Sequence, residues 1–267
     1  MSFSLGVIGG GVMAEAIISR LLEKNLYNGD NIIIGEPLVS RRQWWQKTYQ
    51  VAVTEDNQRV LAESEILLLA VKPQNLKEVV ASLKLDDTTN RPLVVSILAG
   101  VSLDLLAEGF PGLPLVRVMP NTPAVVGQAM TAITANDLVS PLQLQQVRAI
   151  FEAVGEVVEV PEYLMDAVTG LSGSGPAFVA MMVEALSDGG VAAGLPRQMA
   201  LDLAIQTVLG TATLLKLKKL HPALLKEQVS SPGGTTIAGV MALEDRGFRG
   251  AVISAVMAAY KRARDGL

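Results

Sequence analysis

Cysteine is absent from this chain of 267 residues, and histidine occurs once, as His221. Without a thiol there is no disulfide scaffold, no thiolate zinc or iron–sulfur site and no cysteine nucleophile. A single imidazole removes any His pair, so no metal is expected. Aromatic residues make up only 4% and charged residues 18%, while half of the chain is hydrophobic. Enough apolar surface is therefore available to offset the entropy of ordering, which excludes disorder as the dominant state. Ala, Val, Leu, Ile and Met are left to build the core. A formal charge of −4 supplies no basic field, and nucleic acid is not an expected partner. The uncharged run 118–136 is broken by Pro120, Asn121, Pro123, Gly127 and Gln128, so it is not read as a membrane span. The opening residues carry no basic group and run into glycines and Glu15, unlike a secretory signal, and a cytoplasmic protein is expected.

Over the first 160 residues short apolar runs alternate with polar helical stretches, the pattern of a parallel sheet covered by helices. The runs predict strands at 4–8, 31–35, 65–71, 93–97, 115–118, 130–134 and 156–160. Helices are predicted between them at 14–24, 40–48, 57–62, 75–83, 103–108 and 141–153. Beyond Pro161 the β-branched runs stop, and from Ser174 to Leu215 only Glu184, Asp188, Arg197 and Asp202 are charged. Helices this apolar must be buried on more than one side, and a domain of about 100 residues has too little interior to do it. A second subunit is expected to cover them through a two-fold interface. The expectation is an α/β protein with a Rossmann-type parallel-sheet domain over 1–161 and an all-helical domain over 162–267.

Gly9-Gly10-Gly11-Val12-Met13-Ala14 follows the first apolar run and opens the first helical one. In this GxGxxA arrangement Gly9 makes a tight turn, Gly11 lets the backbone approach a pyrophosphate, and Ala14 lets helix pack closely on strand. The helix N-terminus offers free N–H groups and a favourable dipole to phosphates. After the next strand comes Gly35-Glu36-Pro37. A carboxylate at Glu36 suits the ribose hydroxyls of NAD, whereas Arg41 and Arg42 suit the 2′-phosphate of NADP. Ala70-Val71-Lys72-Pro73, Ile97-Leu98-Ala99 and Arg117-Val118-Met119-Pro120-Asn121 end later strands and are expected to line the same crevice. Arg117 reads either as a substrate ligand or as a buried tie between loops.

Leu171-Ser172-Gly173-Ser174-Gly175-Pro176-Ala177 and Ser230-Ser231-Pro232-Gly233-Gly234-Thr235-Thr236 each precede an apolar helical run. Both can aim backbone N–H groups and hydroxyls at a small anion, or serve as ordinary helix caps. The glycine loop 6–17, Ala70–Gln74, Met119–Pro123, Asp166 through Ala177 and Val229–Thr236 together make the sequence resemble pyrroline-5-carboxylate reductases over essentially its whole length. The resemblance implies a Rossmann domain followed by a helical dimerisation and substrate domain, in a homodimer that can assemble into a larger ring such as a decamer. It implies hydride transfer from NADP(H), with NAD(H) as the alternative, to the ring imine of 1-pyrroline-5-carboxylate, giving L-proline. By position it places cofactor contacts on Gly9, Gly10, Gly11, Val12, Met13, Glu36, Asn57, Ala70, Val71, Lys72, Pro73, Ile97, Leu98 and Ala99. Substrate contacts fall on Glu162, Gln228, Ser231, Gly233, Gly234, Thr235 and Thr236, with Thr236 the catalytic hydroxyl. Val12 stands where the family usually has Asn or Gln, and Glu36-Pro37 where many members have a small or basic pair.

An imine nitrogen is basic enough to arrive protonated, so its reduction requires no strong protein acid, in keeping with one His and no Cys. Two other readings are a hydroxyacid dehydrogenase of similar architecture and a non-catalytic dinucleotide-binding protein. The first needs a general base such as Lys near the second glycine loop, and no Lys occurs between Lys84 and Lys216. His221, beside Pro222, reads as a solvated residue at a helix start.

Overall fold

A computed structural model describes residues 3–85 and 90–265. Met1 and Ser2, part of the opening read above, lie outside them. The described residues form two compact units, 3–173 with 259–265, and 174–258.

The first unit is built on eight strands: β1 (Phe3–Ile8), β2 (Ile32–Gly35), β3 (Ala52–Thr54), β4 (Ser64–Leu69), β5 (Leu93–Ser96), β6 (Leu115–Met119), β7 (Ala129–Ala135) and β8 (Gly155–Glu159). Their order in the sheet is β3-β2-β1-β4-β5-β6-β7-β8. Neighbours are parallel except β6 and β7, which are antiparallel, so β7 and β8 run against the other six. The expectation of a parallel sheet is thus corrected at one edge. The connection from β6 to β7 is a short 3₁₀ turn over Thr122–Val126, too short for the crossover that parallel neighbours require. β3 was not predicted. Its three residues are too few to show a period, and it is entered through Gln50 in the left-handed conformation at φ +55°.

The helices α1 (Val12–Glu23), α2 (Val39–Tyr49), α3 (Asn57–Glu63), α4 (Leu76–Ala81), α5 (Leu103–Gly109) and α6 (Pro141–Glu152) match the six expected ones. Local chemistry explains several starts. Ser140 accepts from the Gln143 N–H while Gln143 reaches back to the Ser140 N–H, with Pro141 in the first turn. Ser102 and Asp56 cap α5 and α3 by accepting from Leu105 and Gln58. Alternation along the strands divides the core between the two faces of the sheet. Leu5, Val7, Ile32, Ile34, Ile66 and Leu68 pack with Ile17, Leu21, Val147 and Phe151. Ile8, Ile33, Leu67 and Leu69 pack with Val60, Leu61, Leu106 and Phe110 on the opposite face. Sequence order reverses between β1 and β4, and in such sheets ligands bind at the carboxyl ends of the strands beside that reversal.

After β8 the chain continues within the same unit through a turn at Glu162–Leu164, α7 (Met165–Val168) and a wide π-helical turn at Thr169–Gly173. The second unit holds α8 (Gly175–Ala192), α9 (Arg197–Lys218), α10 (Pro222–Gln228), α11 (Thr235–Asp245) and most of α12 (Phe248–Arg264). Within it only Ser187, Ala200 and Ala204 are buried in a single copy of the chain. Leu203, Leu209, Leu217, Met181, Met241 and Ile253 are exposed. α9 is long and apolar enough to cross a membrane by length and composition alone.

Candidate active site

The glycine loop lies where the sheet reverses. Gly9 adopts φ +103°, and a Cβ there would meet the Ala70 carbonyl oxygen at 2.7 Å, so only glycine fits. Its N–H donates to the Gly35 carbonyl, and the Ala70 N–H donates to the Ile8 carbonyl, which binds the ends of β1, β2 and β4 together. Gly10 is enclosed: a Cβ would lie 2.5 Å from Trp45 Nε1. Gly11 caps α1 with no side-chain bond, and a Cβ there meets nothing within 4 Å. The first turn of α1 therefore presents N–H groups with no capping side chain toward open space, while Ala14 is fully buried against the sheet. That geometry suits a pyrophosphate. Val12 is exposed and Met13 packs at the edge of the core.

The Gly10 peptide is held on both sides. Its N–H donates to Glu36 Oε2 at 3.1 Å, and its carbonyl accepts from Arg41 Nε at 2.9 Å and Trp45 Nε1 at 3.1 Å. The other Glu36 oxygen accepts from the Leu38 N–H at 3.0 Å. Arg41 also pairs with Glu15 at 2.6 Å and lies 3.9 Å from the centre of the Trp44 ring. Arg42 donates to the Glu36 and Pro37 carbonyls and pairs with Glu55 at 2.9 Å. Tyr49 packs on both tryptophans, its phenol pushed above the ordinary tyrosine value by burial and then by the Glu15 charge. Trp44, Trp45, Tyr49 and Glu55 are the members of this set that sequence reading missed. The available signal was the pair Trp44-Trp45, which contains every tryptophan of the chain, on the helix that follows β2.

Beside the loop is a cleft of about 190 Å³ lined by Gly9, Gly35, Asn57, Val71, Glu55 and Glu78 among others. Asn57 lies one residue beyond the capping Asp56, at the start of α3. Lys72 and Pro73 follow in extended and 3₁₀ conformations, with the Asn75 N–H bonded to the Lys72 carbonyl. The Ile97 N–H donates to the Leu69 carbonyl, which carries the Ile97, Leu98 and Ala99 segment past the end of β4; Leu98 is buried. The structure thus gathers Gly9, Asn57 and Val71 around one cleft, and Glu36 stands in the chain between two of its lining residues, Gly35 and Pro37.

Arg117 is only 7% exposed along its side chain and reaches Glu162 Oε1 at 3.3 Å and Asp166 Oδ1 at 3.1 Å. Glu162 Oε1 also accepts from the Leu103 N–H at 2.6 Å. Of the two readings of Arg117, the tie between loops is the one its contacts satisfy. Asn121 adds a second tie, donating to the Ser172 carbonyl and accepting from the Met130 N–H. The segment around Ser172 is helical rather than an open loop, a correction to the expectation of free hydroxyls there. Thr169 and Ser172 spend theirs on the Met165 and Val168 carbonyls one turn back, as hydroxyls in helical backbone do.

In the second unit, Gln228 ends α10, exposed, and Ser231 through Gly234 form a turn closed by the Gly234 N–H on the Ser231 carbonyl. Gly233 sits at φ +66°, and a Cβ on Gly234 would strike Ser231 Oγ at 2.3 Å, so both glycines have a backbone reason. Gly234, not a hydroxyl residue, caps α11, and no side chain bonds its first N–H groups. Plain capping by Ser231, Thr235 or Thr236 is therefore not what the turn does. Thr235 and Thr236 are exposed in the first turn of α11. His221 caps α10 by accepting from the Ala223 N–H, the role expected of it.

A glycine loop opening onto an uncapped helix at a sheet reversal, with a carboxylate at the end of β2, defines a nicotinamide dinucleotide-dependent oxidoreductase. Residues 4–100 match a family described as NADP oxidoreductase, coenzyme F420-dependent, and residues 162–266 match pyrroline-5-carboxylate reductase dimerisation. A pyrroline-5-carboxylate reductase of Synechocystis is 62% identical over 265 residues, spanning 99% of this chain and 98% of the relative. Among solved structures, a pyrroline-5-carboxylate reductase from Coxiella burnetii superposes with a TM-score of 0.90 at 32% identity, covering 99% of this chain and 98% of that one. One from Plasmodium falciparum, described with NADP bound, gives 0.88 at 30% identity over 98% and 97%. The chain belongs to the pyrroline-5-carboxylate reductase family.

Proposed function

We propose that the protein reduces 1-pyrroline-5-carboxylate to L-proline, the last step of proline synthesis, as its relatives' name describes. The observation that carries this reading is identity of 62% with a named reductase over 99% of the chain. A bound dinucleotide, NADPH or NADH, supplies the hydride, and the choice between them turns on the charges around Glu36. No group of three or more metal-ligating side chains occurs among the described residues.

The chain's own part is to position and to hold charge. Gly9, Gly10, Gly11 and the first turn of α1 hold the pyrophosphate, with Val12 and Met13 beside it. Asn57, Ala70 to Pro73 and Ile97 to Ala99 flank the remainder of the dinucleotide. The N–H groups of the Gly233 to Thr235 backbone, left without a capping side chain, hold the substrate carboxylate, with Ser231 and Gln228 alongside. The Thr236 hydroxyl hydrogen-bonds the ring nitrogen and orients the ring so that the imine carbon can receive the hydride. Glu162, oriented by Arg117, is the further substrate contact. We take 1–161 as the dinucleotide-binding part and 162–267 as the dimerisation and substrate part, in a cytoplasmic enzyme that binds neither nucleic acid nor membrane. Following nicotinamide absorbance with pyrroline-5-carboxylate and with 2- and 3-hydroxy acids tests the reading. Turnover of the imine alone is expected; oxidation of a hydroxy acid, or no turnover with any of them, overturns it.

The exposed apolar faces of α8, α9, α11 and α12 are proposed to meet a second copy of the chain, in a homodimer that assembles further into a ring such as a decamer. Support comes from the matched dimerisation family and from Leu209, 57% exposed in one copy. On a free surface Leu209→Glu costs little. In an interface it buries an unpaired charge, so light scattering should show the wild type as a dimer or multiple and the variant shifted to monomer. A stable wild-type monomer at micromolar concentration refutes the proposal.

A further inference from the structure

We infer that this site selects NADH by rejecting the 2′-phosphate of NADPH, through the fixed carboxylate of Glu36 and the internal commitment of Arg41 and Arg42. The inference rests on the reading of the glycine loop as a dinucleotide site.

Glu36 is 8% exposed, and its two oxygens are pinned by the Gly10 and Leu38 N–H groups. A carboxylate offers about four lone-pair positions; two remain to accept the 2′- and 3′-hydroxyl protons of an adenosine ribose. A 2′-phosphate has no such protons to give and carries close to two negative charges at neutral pH. It would need cations, and both nearby ones are already ion-paired within the protein. Arg41 divides its donors between Glu15 and the Gly10 carbonyl, and its face is stacked on Trp44. Arg42 is spent on Glu55 and two carbonyls. Freeing Arg41 would also remove one of the two donors on the Gly10 carbonyl, so the loop that holds the pyrophosphate opposes its reorientation. Neither Lys nor Arg lines the neighbouring cleft, whereas Glu55 and Glu78 do. Against the two guanidinium groups stand Glu15, Glu36, Glu55 and Glu78, and like charges placed against a ligand are the usual means of excluding it.

Calorimetry on the full-length protein without substrate, titrating NADH and NADPH and then 5′-AMP and adenosine 2′,5′-bisphosphate, tests this. NADH and 5′-AMP are expected to bind about tenfold or more tighter than their 2′-phosphorylated counterparts. Glu36→Gln should narrow that ratio, and so should Glu55→Gln, which leaves the glycine loop intact and frees Arg42. If NADPH binds as tightly as NADH, or if both folded variants keep the wild-type ratio, the selectivity mechanism is wrong while the dinucleotide site stands. If none of the four nucleotides binds, the site reading fails as well.

Discussion

Thr236→Ala should lower kcat/KM for the imine by ~10²–10⁴-fold, the range in which a positioned proton-transfer or hydrogen-bonding group contributes. It should do so without unfolding the protein. Thr236 is exposed in the first turn of α11, whose cap is Gly234, and its side chain makes no cap bond. Stability should therefore change by no more than about 0.5 kcal/mol, as at an ordinary surface position. With the hydroxyl on the ring nitrogen and the backbone N–H groups on the carboxylate, as proposed, the loss should fall mainly in kcat, with KM less affected. Thr236→Ser keeps the hydroxyl and should recover most of the rate. Kinetics in Thr236→Ala equal to those of the wild type would remove this residue from the mechanism.

Arg117→Met is expected to lower stability by about 2–4 kcal/mol, measured as a shift of the urea midpoint at constant m. Arg117 is nearly sealed, while Glu162 and Asp166 are 31% and 27% exposed along their side chains. Removing a cation from a fully buried pair costs about 3–5 kcal/mol; water reaching the two carboxylates reduces that here. Methionine keeps most of the aliphatic volume, so the loss reports charge and hydrogen bonds rather than a cavity. Glu162 would keep its bond from the Leu103 N–H but lose its lateral restraint. If Glu162 touches substrate, KM should rise alongside the loss of stability. A variant as stable as the wild type would show that the cluster is not a structural tie.

Much of the first unit could be read from residues alone, because its signals are local. Short apolar runs located seven of the eight strands, and three of the six helices between them have starts set by side-chain caps, Asp56 for α3, Ser102 for α5 and Ser140 for α6. β3 escaped because three residues carry no period. The reversed direction of β7 escaped because strand direction depends on how short the β6 to β7 link is, not on composition. In the glycine loop Gly9 and Ala14 do what their positions demanded, a tight turn and close packing on the sheet. At Gly233-Gly234 the unusual pair pointed to a backbone requirement, and the two distinct causes, a positive φ and a close Ser231 hydroxyl, appear only in three dimensions.

Charges were the least legible. Arg41 and Arg42 beside Glu36 offered two opposite readings, and only the structure says which cation is spent on which carboxylate. Ion pairs join residues far apart in sequence, Arg41 to Glu15 and Arg117 to Glu162 and Asp166, and no short-range pattern encodes them. The sequence by itself determined the class of fold, the dinucleotide loop and the excess of apolar helix that calls for a second copy, since period, glycine placement and composition act locally or additively. The tertiary structure alone decided which groups are already satisfied and which remain free to meet a ligand, because a hydrogen-bond donor or a charge can be committed only once the chain has folded around it.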